Sequence, residues 1–288
     1  TNTGQVIVTC PKTSKCAIID PVLDFDPASG KISTTSADKL LDYCKEKNLS
    51  VQWAIDTHIH ADHLSATSYI KKKTGASTAI GEHVEQVQKH FQKRFNLPEN
   101  SIQGPFWDFL WKDGDSFSIG ELNVTVMHTP GHTPADVSYY IKDDLIITGD
   151  SLFMPDMGSA RCDFPGGSVD DLWESTQKIL SLPKETRVFV GHDYMPDGRE
   201  WSVECTVGKE LEENKHVKQG TPKEDFVTFR TERDAKLGTP RLFYAAMQFN
   251  IRGGNAPLTE EGASEPFVKI PLSLATDVQI NLNVKFQK

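Results

Sequence analysis

Two features of the sequence predict an α/β fold. Apolar strand-like segments alternate with amphipathic helix-like segments through the first half, and four short strand-like segments follow one another closely from residue 117. The 288 residues suffice for a substantial core, since 38% of them are hydrophobic. We therefore expect a single domain over residues 1–288, with a helical and strand-containing extension from about residue 203.

The first half begins with a predicted hairpin, because β-rich residues 5–10 and 16–20 flank the turn sequence Pro-Lys-Thr-Ser-Lys. An amphipathic helix is predicted over residues 36–47, where Leu40, Leu41 and Cys44 share one face. The other elements of this half are strands at 51–56 and 77–80 and helices at about 65–73 and 83–95.

The second half adds predicted strands at 117–119, 124–128, 137–141, 145–148 and 188–190. Helices are predicted at 168–182, 203–214, 223–237 and 240–251, with Thr221-Pro222 starting the third and Gly253-Gly254 ending the fourth. Residues 278–286 alternate between apolar and polar, which predicts a half-buried strand. That strand requires a sheet edge of the same domain or a partner chain, so a homodimer is one expectation.

Composition excludes several function classes. The net charge of −9 gives no general attraction for nucleic acid, and no 18-residue apolar run predicts a membrane span. The five scattered cysteines include no Cys-x-x-Cys motif, which favours a reduced intracellular compartment. We expect a cytoplasmic protein, or a mitochondrial matrix protein if a transit peptide is missing from this chain.

A metal site is predicted by His58, His60, Asp62 and His63, which lie within six residues directly after the strand at 51–56. On an extended chain, residues 58, 60 and 62 project to one side. His63, at the expected start of a helix, is free to turn elsewhere. One loop is therefore able to supply two adjacent metal positions.

Three more candidate ligands, His132, Asp150 and His192, each follow a predicted strand and a glycine that allows a sharp turn. The whole set has five imidazoles, two carboxylates and no thiolate, which suits zinc, iron or manganese without choosing among them. The remaining histidines were assigned no ligand role: we expect His128 to be structural, and His83, His90 and His216 to be solvated.

The motifs H-x-H-x-D-H, G-H-T, G-D and G-H-D, in this order over about residues 5–194, resemble those of the metallo-β-lactamase superfamily. The resemblance implies an αββα sandwich with the metal site at one edge of its two sheets. Within the superfamily, two groups compete: glyoxalase II, a thioester hydrolase, and the persulfide dioxygenases, also called sulfur dioxygenases.

Residues 158–167 resemble the persulfide dioxygenase pattern at Arg161, Asp163, Phe164 and Gly167, and Tyr194 in H-D-Y does so too. This resemblance implies an enzyme of sulfide oxidation that converts glutathione persulfide and O2 to sulfite and glutathione. It implies one Fe²⁺ per chain, held by His58, His132 and Asp150. The other donors would be hydrogen-bond partners that orient the site or ligands of a second metal: His60, Asp62, His63 and His192.

Three residues near this motif are given roles by their chemistry. Arg161 is assigned to the glutathione moiety or a developing oxyanion, with an ion pair to Asp163 as the structural alternative. Tyr194 is assigned a hydrogen bond near the metal. Cys162 departs from the familiar motif, and we favour a thiol packed away from the metal over one that forms a mixed persulfide.

Two alternatives stay open. All seven donors of a two-metal hydrolase are present, which would predict two Zn²⁺ ions and glyoxalase II-type cleavage of glutathione thioesters. A non-enzymatic sulfur carrier with a structural metal is supported by Cys162 and the C-terminal strand. It is disfavoured because structural zinc sites usually contain thiolates. A β-lactamase is disfavoured because the cysteine usage gives no sign of export. A nuclease is disfavoured because the chain is acidic.

Overall fold

Two β-sheets pack face to face at the centre of the protein, in a computed structural model that describes residues 2–259 and 263–272. Strand bounds, in chain order, are β1 (Val6–Thr9), β2 (Lys15–Ile19), β3 (Val22–Asp26), β4 (Lys31–Ser33), β5 (Ser50–Ile55), β6 (Leu64–Ser65), β7 (Ser77–Gly81), β8 (Phe109–Trp111), β9 (Ser116–Ile119), β10 (Leu122–His128), β11 (Val137–Ile141), β12 (Leu145–Gly149), β13 (Arg187–Val190) and β14 (Glu204–Thr206). Helix bounds are α1 (Thr35–Glu46), α2 (Thr67–Thr74), α3 (Val84–Arg94), α4 (Val169–Leu180), α5 (Val207–Glu213), α6 (Lys223–Asp234) and α7 (Phe243–Asn250).

The first sheet has the strand order β1-β2-β5-β7-β8 and is parallel except between β1 and β2. The second has the order β14-β13-β12-β11-β10-β9 and is antiparallel except between β12 and β13. A smaller sheet, β4-β3-β6, adjoins them. The predicted hairpin at the start of the chain is therefore confirmed as β1 and β2.

Apolar side chains from both large sheets fill the space between them. Ile19 and Ile55 from the first sheet meet Val126 and Tyr139 from the second in one buried cluster. Trp53 packs edge-on against Phe117 across the same interface, with ring centroids 5.0 Å apart. Alternate residues of a strand face opposite sides of its sheet, so the outer faces need a second covering layer.

Helices provide that layer on both sides. Cys44 of α1 and Ile70 of α2 pack on Ile18 and Ala54 of the first sheet. The second sheet is covered in the same way by α4, α5 and α6, which contribute Leu172, Ile179, Val207 and Phe226 to one buried cluster. These layers, helix on sheet on sheet on helix, confirm the predicted α/β fold and its αββα sandwich.

Two local predictions were wrong. Residues 203–214 were expected to form one helix, but Glu204–Thr206 form β14, because this segment pairs antiparallel with β13, and only Val207–Glu213 are helical. The Thr206 side chain then caps α5 by accepting from the N–H of Lys209. His63 was expected at a helix start, but it precedes β6, and α2 begins at Thr67.

The strands β3, β4, β6 and β8 were not predicted, and each is only two to five residues long. The predicted strand at 278–286 lies outside the described residues, and with it the expectation of a homodimer. Among the helices of the described residues, none is long and apolar enough to cross a membrane.

Candidate metal centre

The polar clusters predicted to bind metal meet at one edge of the two large sheets. His58 lies in the loop after β5, His132 follows β10, Asp150 follows β12 and His192 follows β13. The three histidines converge on Oδ2 of Asp150. This atom lies 3.9 Å from Nε2 of His58, 3.7 Å from Nε2 of His132 and 3.6 Å from Nε2 of His192. Metal–ligand bonds are about 2.1 Å long, so two ligands of one cation lie at most about 4.2 Å apart. The separations therefore suit a shared cation.

His58 is fixed by a short hydrogen-bond chain behind it. The hydroxyl of Thr57 donates to Oδ2 of Asp20 at 2.9 Å, and it is therefore an acceptor for Nδ1–H of His58, also at 2.9 Å. A neutral imidazole with its proton on Nδ1 keeps a lone pair on Nε2. That lone pair is on the atom that faces Asp150, as a metal ligand requires.

The other two imidazoles are held in the same tautomer by backbone carbonyls. Nδ1 of His132 donates to the carbonyl oxygen of Arg161 at 2.7 Å, and Nδ1 of His192 lies 3.3 Å from the carbonyl oxygen of Asn2. Both Nε2 atoms are left with a lone pair directed towards the Asp150 carboxylate. Of these residues, His58, His132 and Asp150 have ligand atoms within 4.8 Å of one another, and we name them the first donor set.

His60, Asp62 and His63 form a second donor set that also fits within 4.8 Å. His60 is drawn to two other carboxylates, since its Nε2 lies 3.0 Å from Asp20 and 3.9 Å from Asp56. Nδ1 of His63 lies 3.3 Å from Asp62. The four histidine-loop donors are thus brought together, but they are divided between two groups of partners.

The ionisation of these groups follows their surroundings. Burial lowers the pKa of His58 well below its usual value, which favours the neutral ring, and burial likewise lowers the pKa of His63. Burial opposes the charge on His60 as well, but Asp20 and Asp56 raise the pKa of its ring to about 10. Burial raises the pKa of Asp56 to about 7. The His60 environment is thus far more anionic than that of His58.

Several buried polar atoms here lack any hydrogen-bond partner within residues 2–259 and 263–272: Nδ1 of His60, Nε2 of His63 and Oδ1 of Asp150. An unpartnered buried polar atom is costly, so each is explained more simply as a ligand of a bound ion. All five cysteines are free and buried, and none belongs to these donor sets. Nitrogen and oxygen donors fit iron, zinc or manganese, so the residues present fit a metal.

Two glycines allow the ligand loops to approach closely. Gly131, beside His132, has a φ of 141°, and a Cβ there would lie 2.3 Å from the backbone of Leu172. A Cβ at Gly191, beside His192, would lie 2.3 Å from Oδ1 of Asp150. Space therefore requires a glycine at both positions, and at Gly131 the left-handed backbone favours it as well.

Sequence reasoning missed the residues that hold the histidine loop. Oδ1 of Asp20 accepts from the N–H of Thr57 at 2.7 Å and contacts Nε2 of His60. The Nδ2 of Asn250, in α7, donates to the carbonyl oxygens of His60 and His63, at 2.8 Å each. The position of Asp20 directly after a buried strand is a signal that the sequence contains. Nothing in the sequence marks Asn250 as a partner of His60, because the two residues are 190 positions apart.

A cavity of about 1080 Å³ opens on the donors and is lined by Asp62, His132, Asp150, Arg161 and Tyr194, among others. Tyr194 is half-exposed and stacks on His192 with ring centroids 5.6 Å apart, and partial burial raises the pKa of its phenol. The phenol therefore stays protonated at neutral pH and is a hydrogen-bond donor at the cavity wall.

Arg161 lines this cavity but is already engaged. Its Nε and Nη2 donate to the two carboxylate oxygens of Asp163 at 2.5 and 2.6 Å, and Nη1 donates to the carbonyl of Gly238 at 2.9 Å. The ion pair considered as its structural alternative is therefore present. An arginine has five N–H donors, so two of them remain for a ligand.

The thiol of Cys162 is buried in the apolar cluster under the second sheet and does not line the cavity. Burial raises the pKa of this thiol, and its backbone N–H donates to Asp234 at 2.7 Å. A protonated, buried thiol is a poor nucleophile.

Away from the donors, Nε2 of His128 lies 3.0 Å from the carbonyl oxygen of Pro134, as expected for a structural histidine.

His216 was expected to be solvated, and this was wrong. Its ring contacts that of Phe229 with centroids 4.2 Å apart and the ring planes tilted by 43°, and its Nδ1 accepts from the N–H of Ser159 at 2.9 Å. Gly158 makes room for it, because a Cβ at Gly158 would lie 2.1 Å from Nδ1 of His216. The sequence around residue 216 is polar and therefore gave no indication of this contact.

Comparisons with known proteins agree with this fold. The family model of the Metallo-beta-lactamase superfamily matches residues 5–192. The Beta-lactamase hydrolase-like protein of Agrobacterium fabrum is 49% identical over 94% of this chain and 62% of that protein. Glyoxylase B2 of Dictyostelium discoideum is 46% identical over 94% of this chain and 93% of that protein. The crystal structure of ETHE1 from Myxococcus xanthus is 27% identical, with a TM-score of 0.69, over 88% of this chain and 95% of that one.

The chain thus spans 62% of the length of the Agrobacterium fabrum relative, although it spans nearly all of the Dictyostelium discoideum one. The names of these relatives differ, one indicating a hydrolase and another a glyoxalase. The comparisons therefore agree on the family, but the names of the relatives do not agree on one reaction.

Proposed function

The chain belongs to the metallo-β-lactamase superfamily, and within it we propose a persulfide dioxygenase that depends on Fe²⁺, one ion per chain. The reaction is that of glutathione persulfide, O2 and water giving glutathione, sulfite and two protons. The sulfane sulfur loses four electrons and O2 accepts them. The S–S bond breaks, and the sulfite oxygens come from O2 and water.

The observation that carries this proposal is the first donor set beside the cavity. Two imidazoles and one carboxylate within 4.8 Å of one another are the donors of many non-haem Fe²⁺ oxygenases, which keep other positions open for substrate and O2. His132 and Asp150 line the cavity directly. The resemblance of residues 158–167 and of Tyr194 to the persulfide dioxygenase pattern supports this reaction over the others of the superfamily.

Ferrous iron, when bound by His58, His132 and Asp150, would supply the electron transfer that makes O2 reactive. The chain's own residues prepare the site for it. Thr57 and the carbonyl of Arg161 keep the Nε2 lone pairs of His58 and His132 available. The carbonyl oxygen of Arg161 orients His132, and Arg161 also lines the cavity. This one residue therefore contacts both a metal ligand and the space for the substrate.

Other residues would hold the substrate. The two remaining donors of Arg161 suit a carboxylate or a developing sulfur oxyanion. The phenol of Tyr194 is protonated at neutral pH and able to donate a hydrogen bond beside His192. A substrate that fills the cavity would exclude water from the space beside the donors.

Oxygen consumption tests the proposal. Protein loaded with ferrous iron should consume O2 when glutathione persulfide is added and release sulfite in equal amount. His58→Ala should reduce the rate at least a hundredfold, because it removes a ligand. The matched control is His90→Ala, since His90 is exposed on α3 and belongs to neither donor set. Uptake by the unaltered protein no faster than by His58→Ala would refute the proposal.

A glyoxalase II-type hydrolase of glutathione thioesters is the second candidate, and a specific observation favours it. Nε2 of His63 has no partner within the described residues, and Asp62 lies 3.7 Å from Nε2 of His192. These atoms are available to a second cation beside the first. Two metals per chain, with thioester cleavage and no oxygen uptake, would establish this function; one iron per chain with sulfite release would exclude it.

A further inference from the structure

A groove beside α3 contains none of the metal-binding donors. It is lined by residues of α3, of the segment 99–107 and of β8, and its volume is about 550 Å³. We name it the α3 groove. Its apolar side chains include Val84, Ile102, Phe106 and Leu110. Because neither donor set lines it, the metal centre does not account for this groove.

One buried hydrogen-bond donor of the α3 groove lacks an acceptor. Trp107 lines the groove and is only 7% exposed, and its indole N–H has no hydrogen-bond partner within residues 2–259 and 263–272. Buried N–H groups are normally paired, so an occupant with an acceptor is expected here. The side-chain amides of Gln88, Gln92 and Gln103 also line the groove. Indole and amide groups beside apolar walls suit a peptide segment, whose backbone carries both donors and acceptors.

The α3 groove also borders an open edge of the first sheet. β8 is the last strand in the order β1-β2-β5-β7-β8, and in the part of the chain that the structure describes no strand pairs with its other side. Phe109 and Leu110 of β8 are exposed although they are apolar, and Leu110 lines the groove. An exposed apolar edge strand is a template for pairing with a further strand.

A segment of the same chain has the pattern that this edge requires. Residues 278–286, which lie outside the described residues, alternate strictly between apolar and polar side chains. One side of an extended strand over this segment would therefore be apolar and the other polar. A strand is stable only when it pairs with others and its apolar side is covered. The α3 groove offers both an apolar surface and a strand edge.

The described part of the chain passes close to one end of the α3 groove. The backbone N–H of Lys269 donates to Oε1 of Gln248 at 3.0 Å, and Nζ of Lys269 donates to the carbonyl oxygen of Asn96 at 3.4 Å. Asn96 lies about one helical turn beyond Gln92, which lines the groove. The nine residues from Lys269 to Val278 are able to span up to about 30 Å. The segment is therefore long enough to reach the groove.

The charges of the segment and the groove have opposite signs. Lys285 and Lys288 are the charged residues within 278–288. The groove presents Glu85, which pairs with Lys89 at 3.7 Å, and Glu99, which has no ion pair among the described residues. One acid of the groove is thus left for a basic segment.

We propose that residues 278–286 of this chain form a strand that lies in the α3 groove and pairs with the open edge of β8. Its apolar side would cover Leu110 and the apolar wall of the groove, and one of its carbonyl oxygens would accept from Trp107. The short tether favours the groove of the same chain over that of a second copy, because it raises the effective concentration of the segment. The inference is independent of the proposed reaction.

Hydrogen exchange of the full chain, prepared without metal, tests the proposal. Amides of residues 278–286 should exchange at least about a hundredfold more slowly than in an unfolded peptide of the same sequence. Leu110→Lys should abolish this protection, because the strand would have to bury a charge. Ile32→Lys is the matched control: Ile32, in the edge strand β4, is 39% exposed against 41% for Leu110, but does not line the groove.

The segment itself supplies a second pair of variants. Ile280→Lys places a charge on the side that the alternation predicts to be apolar, whereas Asn281→Lys places it on the polar side. Ile280→Lys alone should remove protection from the segment and speed exchange at Leu110. Equal effects of the two variants would overturn the inference. So would a groove that stays protected in Ile280→Lys, because another occupant would then fill it.

Cross-linking shows which chain supplies the segment. In an equal mixture of chains with heavy and ordinary nitrogen, a lysine-reactive reagent should join Lys89 of the groove to Lys285 of the segment, within chains of one label. Links between chains of different label would assign the groove to a second copy and overturn the inference. Exchange of residues 278–286 at the rate of the unfolded peptide in the unaltered chain would overturn it as well.

Discussion

The first and second donor sets contain the same kinds of residues but are held in different ways. His58 and His132 each have Nδ1 occupied by a neutral partner, so their Nε2 atoms face Asp150. His60 and His63 instead lie against carboxylates other than Asp150, those of Asp20 and Asp62. The hydrogen-bond partners behind each ring, rather than the residue types, distinguish the two sets.

This difference bears on how many cations the site holds. The Nε2 atoms of the first donor set are free of acidic partners closer than Asp150, whereas Nε2 of His60 is 3.0 Å from Asp20. Asp62 also accepts from the hydroxyl of Thr3 at 3.2 Å. Asp20 and Asp56 also raise the pKa of His60 to about 10, so its ring holds a proton that a cation would have to displace. The comparison therefore favours one cation at the first donor set.

Removing one carboxylate from each set gives the largest expected effect. Asp150→Ala should weaken iron binding at least a hundredfold, because Asp150 is the point on which three imidazoles converge. Asp62→Ala should weaken it only about tenfold, the lower end of the loss expected for a residue that orients the site. Competition with a chelator, followed by metal analysis, measures both. Comparable losses in the two variants would show that both sets bind metal.

A smaller effect is expected at Asp20, which supports both sets at once. Its carboxylate accepts hydrogen bonds from the N–H and the hydroxyl of Thr57 and from Nε2 of His60. Asp20→Asn keeps the left-handed backbone, with φ at 53°, but places an amide N–H against a donor. We expect about 2 kcal/mol lower stability and about tenfold weaker iron binding.

Urea unfolding and chelator competition measure these two quantities. Asp143→Asn is the matched control, because Asp143 is exposed and also left-handed, with φ at 61°. It should change neither quantity. If Asp20→Asn behaved like this control, the hydrogen bonds behind His58 and His60 would not be what distinguishes the two sets.

The local part of the site was predictable, and for a physical reason. Strand ends lie at the sheet edge, so His58, His132, Asp150 and His192, each just after an apolar strand, were expected to meet there. Their spacing in the sequence was sufficient for this, because each depends only on its own strand and turn. The αββα layers were implied by the resemblance, and the alternating elements are compatible with them.

The contacts between distant segments were not predictable in this way. Asn250 bonds to the histidine loop, and His216 packs beneath Gly158, but neither residue lies in a pattern that names its partner. The same limit applies to β14, which forms because β13 offers it a free edge. The sequence of a polar helical segment does not show which of its residues are buried, because tertiary packing decides this.

A buried acid remote from both donor sets provides a metal-independent reference and the smallest expected effect. Glu210 is fully buried, accepts from Cys205 at 2.9 Å and from Asn214 at 2.6 Å, and burial raises the pKa of its carboxyl to about 7. Unfolded, this carboxyl ionises near 4.3. Between these values the folded chain keeps the proton that the unfolded chain loses, so stability falls as pH rises and levels off above about 7.

The free energy of unfolding should therefore fall by about 1 kcal/mol between pH 6 and 7 through this residue alone. Glu210→Gln has no such proton and should show a flatter pH dependence by that amount in urea titrations. Glu212→Gln, at an exposed position of the same helix, should retain the slope of the unaltered protein. Because Glu210 lies away from the donors, the difference between the two variants should be the same with and without iron. A difference that appears only in the iron-loaded protein would mean that α5 and the metal centre are coupled, and the way in which the donor sets are held would then extend to α5.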